Sequence, residues 1–409
     1  MGVVPSIPAH LPAREATRAR VYELLSGQQV KSRPQLADES RLSRATIAVV
    51  TEDMIRKGLV CEVGAGDSRG GRPPILLRQN ESAAYTIGAS LYDYRWHVVA
   101  TDLAGAVIDR EWVDIGATDA ETAVTGLGDG IERLRERLDP QRMLPLIGVG
   151  SPGLVDVSSG IVKSATDLGW RDVPIGERIT ERTGLPCAVV NRSKAGALAA
   201  YWHIARRAVD HLIFISIGTG VSAGIVQQGR LFLGANSSAG ELGHVTILPD
   251  GPRCECGNRG CLQELISERA IASSARAALR ANPNSVLVET CGHHPETLTA
   301  FQVLEAAELG DTTAVSVVET ISGYLTVAVA NLINLFNPQL IILGGPVAEH
   351  SPRLVESVSR SVGSRAMAYP LSVARIVGNE LGPETGAIGA AVLVLENAPR
   401  LILQLPIYR

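Results

Sequence analysis

Apolar positions recur at helical spacing through the first sixty residues, then give way to short apolar runs broken by glycine turns. Between Thr17 and Ser26, Val21, Leu24 and Leu25 share one face, which predicts a first helix. Ser32 opens a second helix. Ser-x-x-Gln with Gln35 is a capping-box pattern, and Pro34 sits in the first turn, where a missing N–H costs little. That helix should end near Glu39. After a turn at Ser40 to Leu42, Ser43 is placed to cap a third helix reaching about Lys57. Its apolar face is Ile47, Val50 and Met54, with Leu59 following Gly58. Two helices around a tight turn, the second opening on small and polar residues, form a helix-turn-helix. Arg33, Ser43, Arg44 and Thr46 are then the candidate DNA contacts of this region. An ordinary three-helix bundle carries the same pattern.

Leu59 to Val63 reads as a strand and Pro74 to Arg78 as its return, the wing of a winged helix. Its tip carries Arg69-Gly-Gly-Arg72-Pro, where glycines permit close backbone approach and the arginines suit a narrow minor groove. A flexible basic linker has the same composition. From Tyr85 onward, strands and helices alternate. A strand–turn–strand unit is followed by a helical stretch over 120–138 and the strand Leu146 to Gly150. A second such unit has Gly218-Thr219-Gly220 at its turn, and a long small-residue helix from about Thr312 to Leu335 precedes the strand Gln339 to Leu343. The repetition implies two related α/β lobes with a cleft between them.

Length and charge narrow the reading. At 409 residues and 45% hydrophobic content, the chain has room for two or three well-filled domains. No apolar run approaches the ~18 residues of a membrane span. The first thirteen residues hold three prolines with neither a charged start nor an apolar core, so they are expected to be a tail rather than a targeting segment, in a soluble cytoplasmic protein. The net charge of −4 is unevenly spread. Residues 1–80 carry twelve Lys/Arg against eight Asp/Glu, so the whole negative balance lies in the remainder. A basic module ahead of an acidic body suits a polyanion partner.

The densest chemistry is GHVTILPDGPRCECGNRGC. Cys254, Cys256 and Cys261 fall within eight residues, and His244 lies ten residues before them. Three thiolates and an imidazole are a closed, tetrahedral structural zinc set. A disulfide, or cysteines packed as small hydrophobes, are the alternatives. A Cys254–Cys256 bridge would be strained, and nothing in the sequence marks an oxidising compartment. Cys61, Cys187 and Cys291 each stand alone in sequence.

AGELGH followed by CECGNRGCLQ, together with SIGTG, GVGSPGLVD and ANLINLFNPQLIILGG, closely resembles the ROK family of repressors, open reading frames and sugar kinases. The resemblance runs from about residue 15 to 395. It implies an α/β protein in which an N-terminal winged helix-turn-helix domain over 14–80 precedes a two-lobed, actin-like (ribonuclease H-like) domain over 84–397 with a zinc-binding loop. The GGRPP wing is similar to the family's transcription-factor branch, since its kinases lack that module.

The same resemblance argues against catalysis. In the family's kinases an Asp and two glycines at the first strand turn help hold ATP phosphates and metal. Here Ser90 stands at the Asp position, and Tyr92 and Asp93 fill the glycine positions. The kinases' catalytic Asp after an Asn is Arg192 in this chain, and a guanidinium cannot accept the sugar's proton. Asn191, Glu241 and His244 match family sugar contacts, and a family Glu is replaced by Gln263. Arg192 and Gln263 make the pocket more positive, which favours a sugar phosphate or sugar acid over a neutral sugar. An Arg192–Glu241 pair that simply closes the pocket is the alternative. The expectation is a homodimeric or tetrameric repressor without kinase activity, responding to a sugar-derived effector at a duplex DNA operator. A kinase with a DNA-binding appendage, or a zinc-stabilised regulator without effector, are the competing classes.

Overall fold

The first helix forms four residues earlier than its apolar spacing predicts. In the computed structural model, which describes residues 12–27, 29–66, 73–92, 94–115, 119–280, 282 and 284–408, α1 spans Ala13–Glu23. Val21, Tyr22 and Leu25 are fully buried, while Leu24 is only half-buried. Tyr22 enters the core because its hydroxyl finds a buried partner, accepting from Gln79 Nε2 at 2.9 Å.

Next come β1 (Val30–Ser32), α2 (Arg33–Ser40) and α3 (Arg44–Arg56). Both expected caps are present. Ser32 and Gln35 complete a capping box on α2, and Ser43 Oγ accepts from the Thr46 N–H at 3.1 Å on α3. Arg41, at φ 56°, makes the left-handed turn between them. Ile47, Val50 and Met54 are buried as their spacing required. The antiparallel strands β2 (Val60–Ala65) and β3 (Ile75–Gln79) follow. β1 adds to the far side of β3, a pairing that nothing in the hydropathy pattern announces. Arg69 and Arg72 lie outside the described residues, as do Asp93 and residues 1–11.

The chain divides into two units, 1–192 with 386–409 and 193–385, so the expected boundary near residues 80–84 falls inside the first unit. That unit holds a five-stranded sheet. Its strands are β4 (Tyr85–Tyr92), β5 (Arg95–Asp102), β6 (Val107–Asp114), β7 (Met143–Ser151) and, after a small sheet of β8 (Leu154–Asp156), β9 (Ile161–Ala165) and β10 (Trp170–Val173), β11 (Cys187–Asn191). The order is β11-β7-β4-β5-β6, an antiparallel meander extended by two parallel strands. Ile87, Ala89 and Leu91 pack on α4 (Ala120–Arg135) and α5 (Ile175–Thr183). The alternate residues face the other way, as the two-residue period of a strand demands.

The second unit repeats this plan with β12 (His211–Ile217), β13 (Val221–Gln227), β14 (Arg230–Leu231), β15 (Leu340–Gly344) and β16 (Arg375–Gly378), ordered β14-β13-β12-β15-β16. Its helices include α6 (Arg192–Ala199), α7 (Gln263–Ile266), α8 (Glu268–Leu279) and α9 (Thr312–Phe336). By length and composition α9 would cross a membrane, but 61% of its apolar window is buried inside this unit, packed with Ile213, Ile215 and Ile217. It is a core helix.

Each sheet carries one helix pressed onto it at backbone distance. In the second unit a Cβ on Gly224 would stand 2.2 Å from the Ser193 carbonyl oxygen of α6. In the first, α10 (Thr385–Leu395) plays that part: Cβ atoms on Gly88 and Gly148 would stand 2.2 and 1.9 Å from the carbonyls of Ala387 and Ala390. The chain then runs back to the N-terminal helices. The Tyr408 carbonyl accepts from Lys57 Nζ at 2.6 Å, and the Tyr408 hydroxyl donates to the Ala83 carbonyl.

Candidate functional site

The His/Cys segment folds through tight backbone turns. Gly257 and Gly260 both have positive φ, and a side chain on Gly260 would strike the Leu248 carbonyl at 1.6 Å. The Cys254 N–H donates to the Asn258 carbonyl at 2.8 Å, and Thr246 bridges Cys261 in register. These turns bring one ligand atom each from His244, Cys254, Cys256 and Cys261 within 4.8 Å of one another. Cys254 Sγ lies 3.7 Å from His244 Nδ1, and Cys256 Sγ lies 3.7 Å from Cys261 Sγ. Two sulfurs on a tetrahedral zinc at ~2.3 Å would be about 3.8 Å apart, whereas a disulfide requires about 2 Å. All six cysteines are free thiols. Burial and the neighbouring sulfurs push Cys261 up to about 12, a cost that only a cation would reverse. The donor set fits a closed metal centre.

The other cysteines stay apart from it. Cys61 Sγ donates to the Arg78 carbonyl and Cys291 Sγ to the Val288 carbonyl, while burial pushes the Cys187 thiol up to about 12.

The expected effector residues split between the units. Asn191 and Arg192 end the first; Glu241, His244 and Gln263 belong to the second. The Asn191 amide donates to the Gly153 carbonyl at 2.7 Å. Gln263 is turned to the metal cluster: its Nε2 lies 3.5 Å from Cys254 Sγ and 3.4 Å from Glu264 Oε1. It lies beside a candidate metal ligand, a position its place directly after the Cys261-Leu262 pair could have suggested. Glu241 follows Gly240, whose carbonyl accepts from the Ala223 N–H at 2.7 Å. Lys194, unremarked in the sequence, is 2% exposed and lies in the field of Glu241.

At the first strand turn, Ser90 is buried against the start of α10, where a Cβ on Gly386 would meet its Oγ at 2.4 Å. The Tyr92 ring stands edge-on to His97, with centroids 5.8 Å apart.

Near the N-terminus, α3 presents Arg44, Ala45, Ala48, Val49 and Glu52 to solvent, with Val49 67% exposed. Ala45, Ala48 and Val49 escape sequence reasoning, because small apolar residues there look like core. Ser43 and Thr46 bond each other through their hydroxyls at 2.8 Å. Arg33 is held within the module, donating from Nε to Thr51 Oγ1 at 3.1 Å and from Nη2 to Glu62 at 3.2 Å. Asp53 ties α3 to α1 through Arg18 and pairs with Arg56 and Lys57 at its own helix end. Burial alone would raise its carboxyl, yet the three cations hold it below the usual carboxylate range.

Two sheets of one topology, each carrying a helix at backbone distance, with a His/Cys loop on the second, define a duplicated α/β domain of the sugar-kinase type joined to an N-terminal helical module. Residues 95–397 match the ROK family, and the chain belongs to that family. A putative xylose repressor of Caldicellulosiruptor sp. (strain Rt8B.4) is 29% identical, over 95% of this chain and 97% of its own length. The crystal structure of a ROK family transcriptional regulator, a homologue of the E. coli MLC protein, aligns with a TM-score of 0.81 at 29% identity, covering 97% of this chain and 99% of that one. A ROK family glucokinase from Streptomyces griseus, solved with glucose and AMPPNP, aligns with a TM-score of 0.68 at 28% identity. It covers 76% of this chain and 99% of its own.

Proposed function

We propose that the chain is a sugar-responsive transcriptional repressor that binds a duplex DNA operator through a winged helix-turn-helix over residues 14–80. The carrying observation is the solvent face of α3, where short side chains at Ala45, Ala48 and Val49 lie between Arg44 and Glu52. Such a face enters a major groove closely. Val49 suits a thymine methyl, Arg44 a guanine edge, and the Ser43 and Thr46 hydroxyls the phosphates. Arg69 and Arg72 supply minor-groove contacts from the wing, while Arg33 positions α2 against α3. Full-length alignment with the xylose repressor, against 76% for the glucokinase, supports this reading.

The body over 84–397 is the effector domain. Glu241 is its candidate contact with a sugar-derived ligand. Zinc, held by His244, Cys254, Cys256 and Cys261, fixes the segment that carries Glu241 and leaves no open coordination position. The domain carries out no kinase chemistry. Ser90 and Tyr92 occupy the phosphate turn, and Arg192 cannot act as base. Two copies read two half-sites, so the repressor acts as a symmetric dimer in the cytoplasm. Fluorescence anisotropy with the DNA upstream of its own gene, at moderate salt, tests the reading. Tighter binding than to random duplex is expected; equal binding would overturn it. ATP-dependent phosphorylation of glucose, N-acetylglucosamine or xylose would overturn the non-enzymatic part.

A further inference from the structure

Lys194 is a buried ammonium with no carboxylate paired to it among the described residues. It is 2% exposed, and among the described residues no carboxylate oxygen lies within 4.0 Å of its Nζ. A lysine this buried is ordinarily paired, because an ammonium removed from water without acceptors is strongly disfavoured. Its position is also fixed from both sides. Ser193, the preceding residue, hydrogen-bonds through its hydroxyl to Ser222, and its carbonyl lies where Gly224 leaves no room for a side chain. The backbone before Glu241 is pinned to the same strand: Gly240 has φ 92°, and a Cβ there would stand 1.9 Å from the Ala223 carbonyl. Three consecutive residues of β13, Ser222, Ala223 and Gly224, thus hold both the lysine and the glutamate.

The two charges feel each other without touching. Burial pushes Lys194 below the usual ammonium range and Glu241 above the usual carboxylate range, and each draws the other back. A gap wider than an ion pair, with a donor-only group on one side and an acceptor-only group on the other, has the polarity of a hydroxyl site. A hydroxyl oxygen placed there accepts from Nζ and donates its own proton to the carboxylate. Adjacent hydroxyls of a sugar ring can share the two roles.

We infer that Lys194 is a specificity-determining residue of the effector site, gripping with Glu241 a hydroxyl or adjacent hydroxyl pair of a neutral sugar. The inference rests on the reading that this domain binds a sugar-derived effector. It also names the ligand class. The Lys194–Glu241 pair carries no net charge, and a phosphate or carboxylate brought to the lysine would be repelled by the glutamate. The anionic preference expected from Arg192 therefore does not extend to this subsite.

The test is calorimetric titration of the full-length, zinc-loaded protein with D-xylose, D-glucose, N-acetyl-D-glucosamine, D-glucose 6-phosphate and D-glucuronate. At least one neutral sugar should bind, and Lys194→Met, which keeps the chain length and removes the charge, should weaken it at least about tenfold. Monodeoxy analogues of that sugar supply a readout that a merely structural lysine would not move. Removal of the bridging hydroxyl should cost affinity in the native protein and cost nothing further in Lys194→Met or Glu241→Gln. Zinc content and sugar-free melting temperature show whether Lys194→Met is folded; if it is not, Lys194→Gln takes its place. Unchanged sugar affinity in the folded variant would overturn the inference. So would tighter binding of the phosphate or uronate that depends on Lys194, or no binding of any neutral sugar. DNA binding is measured separately. Its absence beside Lys194-dependent sugar binding would sink the repressor reading alone.

Discussion

The two five-stranded sheets share one strand order, one mix of parallel and antiparallel pairing, and one helix laid on glycine at backbone distance. Their strand turns differ completely in chemistry. In the first unit the end of β4 carries Ser90, packed on Gly386, and Tyr92, set edge-on against His97. In the second, the turn after β12 is Gly218-Thr219-Gly220, α6 delivers a buried lysine, and a long insertion after β14 delivers Glu241 and the four metal-ligand candidates. The architecture needs only that small residues let a helix reach each sheet. The polar groups are independent of it, so the two halves can carry different side chains on one architecture.

The sharpest separation should come from the metal. Cys254→Ser should cut bound zinc from one per chain to less than about half, measured on protein never exposed to chelator, and should loosen the 241–263 segment. Cys187→Ser, in the first unit, should leave the zinc unchanged. A native protein with no zinc would remove the strongest contrast between the halves.

Shared architecture predicts the opposite, equal sensitivity. Gly148→Ala and Gly224→Ala each drive a methyl into a backbone carbonyl, and each should destabilise its unit by about 3 kcal/mol in denaturant unfolding. If one glycine tolerates alanine, the helix on that sheet is not held as its counterpart is.

A smaller effect belongs to the N-terminal module. Arg44→Ala should lower preference for one base pair by about 1–3 kcal/mol, and Val49→Ala should reduce preference for thymine at its neighbour by roughly 1 kcal/mol. Equal loss on all sequences would instead assign Arg44 to phosphate.

The mildest outcome concerns pH. The Asp53 carboxyl is held below its unfolded value by Arg18, Arg56 and Lys57, so its contribution is complete above about pH 4 and is lost as pH falls through the lowered folded value. Asp53→Asn should flatten that acid limb in hydrogen exchange of α1 and α3. An unchanged acid limb would place the sensitivity elsewhere.

The His/Cys cluster was legible because all four residues lie within eighteen positions and converge through local turns that the intervening glycines permit. The caps at Ser32 and Ser43 were legible for the same reason: each hydrogen bond spans three residues. Gln263 has a partner that its place in the chain does not announce. Its place in the chain fits a sugar contact, yet its amide turns to Cys254. Arg33 likewise reads as a DNA contact and is found bonded to Thr51 and Glu62.

By itself, the sequence determined the helix caps, the apolar faces, the alternation of strands and helices, and the clustering of one imidazole with three thiols. These depend on interactions between near neighbours, whose geometry follows from backbone periodicity. Tertiary structure alone decided that Tyr22 would be core through Gln79, that β1 would join β3, and that the Tyr408 carbonyl would receive Lys57. It also decided that Lys194 would be buried in the field of Glu241, forty-seven residues away. Burial and charge pairing across such separations depend on which surfaces the packed chain closes, and no local period records that.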